Sequence, residues 1–278
     1  MEITPKKSLG QHFLASKFVL KQIVDAAHVS PKETVLEIGP GTGILTEALL
    51  AMGANVIAIE KDSRSCDVLR NKCAPQITDG SLKLVEGDIL SKETVSSLQS
   101  DPGNIISEGK YALVANIPYY ITGAILELFL EHGPRQNRMV LLIQKEVADR
   151  IVTRNNKESI LSISVKAFGT PRIIAKVPPG AFVPPPTVDS AVLAIEKIHP
   201  GPFLGDSDKT RAFFGTIRAG FAHKRKFVIR NLEAVATKAH IEQAWGDLKL
   251  AKNLRAEDMT IEQWVEVARS ISTIPRIS

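Results

Sequence analysis

Four residues at the end of an apolar run, Asn116-Ile117-Pro118-Tyr119, combine an amide, a rigid proline and an aromatic ring. They sit where the run Tyr111-Ala112-Leu113-Val114-Ala115 would leave a sheet. Such a set suits a flat, hydrogen-bonding group such as a nucleobase. The Asn116 side chain, or a main-chain carbonyl beside Pro118, can accept from an exocyclic amine, and Tyr119 can stack on the ring. A strand followed by a proline turn with a half-buried tyrosine accounts for the same four residues. Their neighbours in the fold decide between the two.

Glu37-Ile38-Gly39-Pro40-Gly41-Thr42-Gly43 reads E-x-G-x-G-x-G after a short apolar run. Alternating glycines let the backbone turn sharply and let a ligand touch the main chain. The spacing is not the G-x-G-x-x-G of dinucleotide sites. Glu60 nevertheless lies 60 − 39 = 21 residues after Gly39, at the end of the next run, where an acidic residue takes ribose hydroxyls. Asp88 ends a third run and can accept from an adenine amine, or cap the turn into Ile89-Leu90. No Gly-Lys-Ser/Thr phosphate loop is present, so a nucleoside cofactor without phosphate binding, S-adenosylmethionine, fits better than NAD or ATP.

The elements that position these residues are short apolar strands alternating with helical stretches, the pattern of a parallel α/β sheet. Strands are predicted at 34–38, 54–59, 82–86, 111–115 and 138–143, with a helix over 17–28 and another from 144 to 153. Gly39–Gly43, Glu60, Asp88 and Asn116 all fall at predicted carboxyl ends, where such sheets collect ligands. After Gly169 two further strands, 171–177 and 191–196, flank the proline-dense loop 178–186. A linker over 199–208 precedes helices at 209–220, 225–238, 241–246 and 261–270, the last with Thr260 as N-cap and Gln263 three residues on.

The chain has 278 residues, enough for one large and one small domain, with 44% hydrophobic and 23% charged residues. Lys+Arg 35 against Asp+Glu 30 gives +5, which permits a polyanionic partner without requiring one. Cys66 and Cys73 match no zinc spacing and read as reduced cytosolic thiols. The N-terminus lacks an apolar signal region, and no run approaches the ~20 residues of a membrane span. Within 209–230 the basic residues Lys209, Arg211, Arg218, Lys224, Arg225, Lys226 and Arg230 meet no acid and are interleaved with Phe213, Phe214, Phe221 and Phe227. That pattern reads as phosphate contact to nucleic acid, the competing account being a solvated helix face over core phenylalanines. Lys6 and Lys7 can extend the patch.

Five motifs occur in one order: 7–14 (KSLGQHFL), 37–43 (EIGPGTG), 116–119 (NIPY), 144–147 (QKEV) and 182–190 (FVPPPTVDS). Together with 221–232 and 253–257 they closely resemble the KsgA (RsmA) family of rRNA adenine dimethyltransferases over nearly the whole chain. The resemblance implies a Rossmann-like, S-adenosylmethionine-dependent methyltransferase domain over 1–200, with an N-terminal arm at 1–16. A smaller helical, RNA-contacting domain follows over 201–278. It implies transfer of methyl groups to N6 of two adjacent adenosines in a hairpin near the 3′ end of 16S rRNA in the small ribosomal subunit. It further implies S-adenosyl-L-homocysteine as the product, no metal, and a cytoplasmic protein of ribosome biogenesis, expected to be a monomer. The family's cofactor positions fall on His12, Leu14, Gly39, Gly41, Glu60, Asp88 and Asn116. Its catalytic positions fall on Asn116, Pro118, Tyr119 and Phe182, and its RNA contacts on Lys224, Arg225, Lys226 and Arg230. His12 stands where many members have asparagine, 223–226 is less arginine-rich than usual, and Ser91–Gly109 is longer than usual.

An adenine amine is a poor nucleophile because its lone pair is delocalised into the ring. Hydrogen bonds from it to Asn116 and to the carbonyl near Pro118 favour a pyramidal nitrogen, so positioning supplies the catalysis and no strong base is needed. Tyr119 and Phe182 would stack on the two faces of a base splayed out of its helix or loop. A macrolide-resistance methyltransferase of large-subunit rRNA shares the catalytic motifs, but 184–190 and Arg255-Ala256-Glu257 favour the small subunit. A non-catalytic RNA-binding factor would not need Asn116-Ile117-Pro118-Tyr119, Glu60 and Asp88 together. The glycine spacing disfavours a dehydrogenase.

Overall fold

The computed structural model describes residues 4–6, 9–100, 106, 110–132, 135–153 and 156–272. Lys7 of the suggested basic patch therefore lies outside the described residues. The chain forms two compact units, 1–148 with 170–198, and 149–169 with 199–278. Residues 149–169, which the expected division at 200 assigns to the catalytic domain, belong to the second unit.

The first unit is built on strands β2 (Thr34–Ile38), β3 (Asn55–Glu60), β4 (Leu82–Glu86), β5 (Tyr111–Asn116), β6 (Arg138–Gln144), β7 (Thr170–Val177) and β9 (Ser190–Glu196). Their order is β4-β3-β2-β5-β6-β9-β7. The first five are parallel, as the sequence indicates, whereas β9 pairs antiparallel with both β6 and β7. β2 and β5 are apolar without alternation because both faces are covered, as the complete burial of Val35, Leu36 and Ala112–Ala115 records. Helix α1 (Lys17–Ala27) opens on Ser16, whose hydroxyl accepts from the N–H of Val19, and it buries Val19, Ile23 and Ala27. A separate two-stranded ribbon pairs β1 (Phe13–Leu14) with β8 (Phe182–Val183), tying the arm to the proline-rich loop.

Chain order reverses at β2, whose neighbours are β3 on one side and β5 on the other. Ile38 is level with Ile59 and with Ala115, and Glu60 with Glu86. This register puts the glycine turn, Glu60, Gly87-Asp88 and Asn116 along one edge, at the switch point where open α/β sheets bind ligands.

The second unit is helical: α8 (Ile160–Lys166), α9 (Ser207–Phe221), α10 (Val228–Asn231), α11 (Lys238–Asp247) and α12 (Ile261–Ser272). Phe213, Ile217, Trp264 and Val267 are fully buried. Gly220 is demanded by contact rather than by backbone angle, since a Cβ there would lie 2.2 Å from the Trp264 ring. Thr260 and Gln263 form the expected reciprocal cap, with bonds of 2.9 and 3.3 Å. The helix expected over 225–238 is broken. Asn231 turns its amide onto the carbonyls of Gly220 and His223, the Val228 N–H bonds the Leu254 carbonyl, and Thr237 caps α11.

Candidate active site at the carboxyl ends of the strands

Eight of the expected site residues line one cavity of the first unit: His12, Gly39, Gly41, Glu60, Asp88, Asn116, Pro118 and Tyr119. Gly39 and Gly41 have φ of +67° and +56°, in the left-handed region that favours glycine. A Cβ on Gly41 would also lie 2.9 Å from the Phe13 ring, so the arm packs directly on the turn.

Glu60 is 6% exposed. Its Oε2 accepts from the N–H of Gly41 at 3.0 Å and its Oε1 from the N–H of Asp62 at 2.8 Å. Burial pushes its carboxyl upward against those main-chain donors. Each oxygen keeps a lone pair for a ribose hydroxyl. Asp88 has both roles foreseen for it within reach. Its Oδ1 caps Leu90 N–H at 2.9 Å, and its Oδ2 meets Lys61 Nζ at 2.7 Å, which holds the carboxyl below its ordinary value. Lys61 and Tyr120, neither singled out by the sequence, also line the cavity. Lys61 sits between Glu60 and Asp62, a signal that basic and acidic side chains share this edge.

The Asn116 amide donates from Nδ2 to the carbonyl of His12 at 3.1 Å. A carbonyl can only accept, so this bond fixes the amide's direction, and Oδ1 takes no hydrogen bond among the described residues. Pro118's own carbonyl is used by the N–H of Ile121 at 3.1 Å. The carbonyl of Ile117, immediately before it, accepts none among the described residues. The acceptor beside Pro118 is thus Ile117's. The Tyr119 ring stacks beside His12, centroids 6.0 Å apart and planes at 21°. The imidazole in turn is oriented by Nδ1–H donating to the Pro184 carbonyl at 2.8 Å.

Two expected site residues stand elsewhere. Leu14 and Phe182 face each other across the β1–β8 ribbon, and both belong to the core, Phe182 being 2% exposed. Strand alternation turns Val183 outward instead, so Phe182 offers no free face for a base, a correction to its expected stacking role. Glu37, noted for its place before the glycines, is 1% exposed, and burial pushes its carboxyl up to about 8.

The basic segment lies in the second unit. Lys224, Arg225 and Lys226 occupy an exposed turn, their side chains without an ion-pair partner among the described residues. The expected absence of balancing acids is corrected at three positions: Lys209 pairs with Asp206, Arg211 with Asp208 and Arg230 with Glu233, acids just outside 209–230 in sequence. Phe213 and Phe214 are core, whereas Phe227 is 43% exposed beside the turn.

The chain matches the family described as ribosomal RNA adenine dimethylase over residues 3–273. It is 37% identical over 262 residues to the ribosomal RNA small subunit methyltransferase A of Dehalococcoides mccartyi BAV1, covering 93% of this chain and 86% of that protein. Against the protein of the same description from Rippkaea orientalis it is 35% identical over 277 residues, covering 97% and 98%. A dimethyladenosine transferase from Plasmodium falciparum superposes with a TM-score of 0.74 at 25% identity, covering 94% of this chain and 98% of that one. The 23S rRNA methyltransferase ErmE shares the fold, with a TM-score of 0.71 at 23% identity over 94% and 99% of the two chains.

Proposed function

The chain belongs to the ribosomal RNA adenine dimethylase family, and from that premise we propose that it dimethylates N6 of two adjacent adenosines in the 3′-terminal hairpin of 16S rRNA. The observation that carries the reading is the Asn116 amide held by its Nδ2–H on the His12 carbonyl, which leaves Oδ1 as the free acceptor of a residue that lines the same cavity as Glu60.

The cavity fits a nucleoside rather than a nucleotide. Ile38, Ile59 and Ile89 give it apolar walls, Glu60 offers acceptors for both ribose hydroxyls, and the one lysine among its described lining residues, Lys61, is already paired with Asp88. Bound S-adenosyl-L-methionine supplies an electrophilic methyl group there and leaves as S-adenosyl-L-homocysteine. Glu60 holds the ribose, Asp88 the adenine amine of the cofactor, and Gly39 and Gly41 allow its close approach to the main chain. Asn116 Oδ1 and the Ile117 carbonyl accept the two N–H bonds of the target amine. Both protons are thereby drawn away from the ring plane, which frees the nitrogen lone pair for attack. Positioning of this kind supplies the rate, and the proton is lost only after the amine has become a cation, so neither a strong base nor a metal ion is required. Tyr119 presents an aromatic ring to the flipped base.

Lys224, Arg225 and Lys226 serve as phosphate contacts to 16S rRNA within the small subunit. The protein acts as a monomer in the cytoplasm during ribosome biogenesis; no helix among the described residues is long and apolar enough to cross a membrane. The test is incubation with radiolabelled S-adenosyl-L-methionine and either immature small or large subunits. Label in small-subunit adenosine is expected; label confined to large-subunit rRNA, or none, overturns the reading.

A further inference from the structure

The arm reaches the reacting end of the cavity through the His12 carbonyl, and besides the β1–β8 ribbon a buried carboxylate anchors its N-terminal part. The Asp62 side chain is 0% exposed. Gln11 Nε2 donates to its Oδ2 at 3.0 Å, from the arm. Arg64 grips it from the first turn of α3 (Ser63–Lys72), Nε to Oδ1 at 3.0 Å and Nη2 to Oδ2 at 2.5 Å. The third nitrogen of the same guanidinium, Nη1, reaches back to the carbonyl of Thr4 at 3.0 Å, again on the arm. Gln11 is itself set by the main-chain N–H of Lys6, which donates to its Oε1 at 2.8 Å. Next along the chain is His12, whose carbonyl takes the Asn116 amide.

We propose that Gln11, Asp62 and Arg64 form a latch that positions Asn116 for methyl transfer, by seating the arm so that the His12 carbonyl fixes the amide's direction. The proposal rests on the rRNA adenine reading above. None of the three side chains is placed at the reacting atoms, so they are positioning residues.

A buried carboxylate needs every hydrogen bond it can collect, because loss of a partner leaves an uncompensated charge. The partners of Asp62 come from two sides, the arm and α3. If the arm lifts, Asp62 loses Gln11 and Arg64 loses Thr4 together, so seating is favoured by the charge itself. The guanidinium beside Asp62 holds its carboxyl far below the usual carboxylate range, so the latch stays charged across physiological pH. Asp62 also faces the cofactor end, since its own N–H donates to Glu60 Oε1. One residue thus supports the ribose acceptor with its main chain and the methyl-acceptor site with its side chain. Without the His12 carbonyl the Asn116 amide can rotate, and half of its orientations present N–H groups, rather than the oxygen, to the target amine.

The experiment uses the full chain with Gln11→Met, which keeps volume but loses the amide, and Asp62→Asn, which keeps shape but loses charge. The expected result at saturating S-adenosyl-L-methionine and small subunits is a kcat lowered about 10- to 100-fold, as displacement of a positioning group produces. Amide hydrogen exchange over Leu9–Phe13 should accelerate, while exchange in β2 and β5 stays at the wild-type rate. Arg64→Lys, which keeps the charge but not the fork, should fall between wild type and Gln11→Met in both readouts. In an Asn116→Ala background the latch substitutions should lower turnover no further. Unchanged kcat with only a raised KM for S-adenosyl-L-methionine would overturn the latch, as would unchanged exchange over Leu9–Phe13. Wild-type turnover is measured alongside: its absence overturns the functional reading, whereas wild-type turnover matched by the variants overturns the latch alone.

Discussion

The hydroxyl of Tyr119 lies 2.6 Å from Ser190 Oγ, joining a residue three positions past the end of β5 at Asn116 to the first residue of β9. Burial raises the phenol's pKa, so the hydroxyl is neutral and the contact is an ordinary hydrogen bond. The bond orients the ring, while the ring's face supplies the contact to a base. Tyr119→Phe should therefore lose no more than the ~0.5–1.5 kcal/mol of one net hydrogen bond, about tenfold at most in kcat/KM. Tyr119→Ala should also lose the ~1–3 kcal/mol of stacking and raise KM for small subunits accordingly. Steady-state kinetics of the two variants separate ring from hydroxyl.

Asn116→Ala should leave S-adenosyl-L-methionine binding largely intact by calorimetry, because Glu60 and Asp88 remain. Methyl transfer should drop about 10²- to 10³-fold, the loss usual when one fixed hydrogen-bonding group is removed from a reacting site. Asn116→Asp should fare no better, since a carboxylate cannot donate to the His12 carbonyl. Unchanged turnover in either variant would remove Asn116 from the mechanism.

Glu37 makes stability depend on pH. Its carboxyl is raised from an ordinary 4.5 to about 8, so the folded state binds a proton that the unfolded state has already lost. The associated stability is fully present below about pH 4.5 and is lost as pH rises toward 8. Glu37→Gln, neutral at every pH, should flatten that slope. The wild type should lose about 2–4 kcal/mol relative to this variant between pH 5 and 9 in denaturant titrations.

Lys224, Arg225 and Lys226 have no acidic partner among the described residues, whereas Arg230 is paired with Glu233. Changing the first three to alanine should weaken small-subunit binding and reduce the slope of log K against log salt by about 2–3. Arg230→Ala should change that slope by less than one, because its charge is already answered. Equal effects from the triple and the single variant would return the turn to an ordinary solvated surface.

The sequence made the site's chemistry more legible than its support. Val35-Leu36, Val56–Ile59 and Ala112–Ala115 are apolar on both faces, so the central strands and their polar ends at Glu60, Asp88 and Asn116 could be read directly. Apolar patterning carries no strand direction, which is why the antiparallel setting of β7 and β9 was not legible. The two-residue pairing of Phe13-Leu14 with Phe182-Val183 is too short to leave a periodic signal. Without that pairing, the burial of Phe182 could not be foreseen. The break in 225–238 depends on Asn231 reaching the preceding turn at Gly220 and His223 and on Val228 meeting Leu254 farther along the chain, contacts that local patterning does not encode, as is also true of the packing of 149–169 with the C-terminal helices. The Gln11–Asp62 contact spans 51 residues, and nothing in either local stretch announces it.

Mass spectrometry of the 3′-terminal fragment of 16S rRNA, after incubation of unmethylated small subunits with the protein and S-adenosyl-L-methionine, tests the central claim most directly. N6,N6-dimethyladenosine is expected at two adjacent positions of the terminal hairpin, and about 10²- to 10³-fold less in the same time when Asn116→Ala replaces the wild type. An unmodified hairpin, or methyl groups found only elsewhere in the RNA, would contradict it.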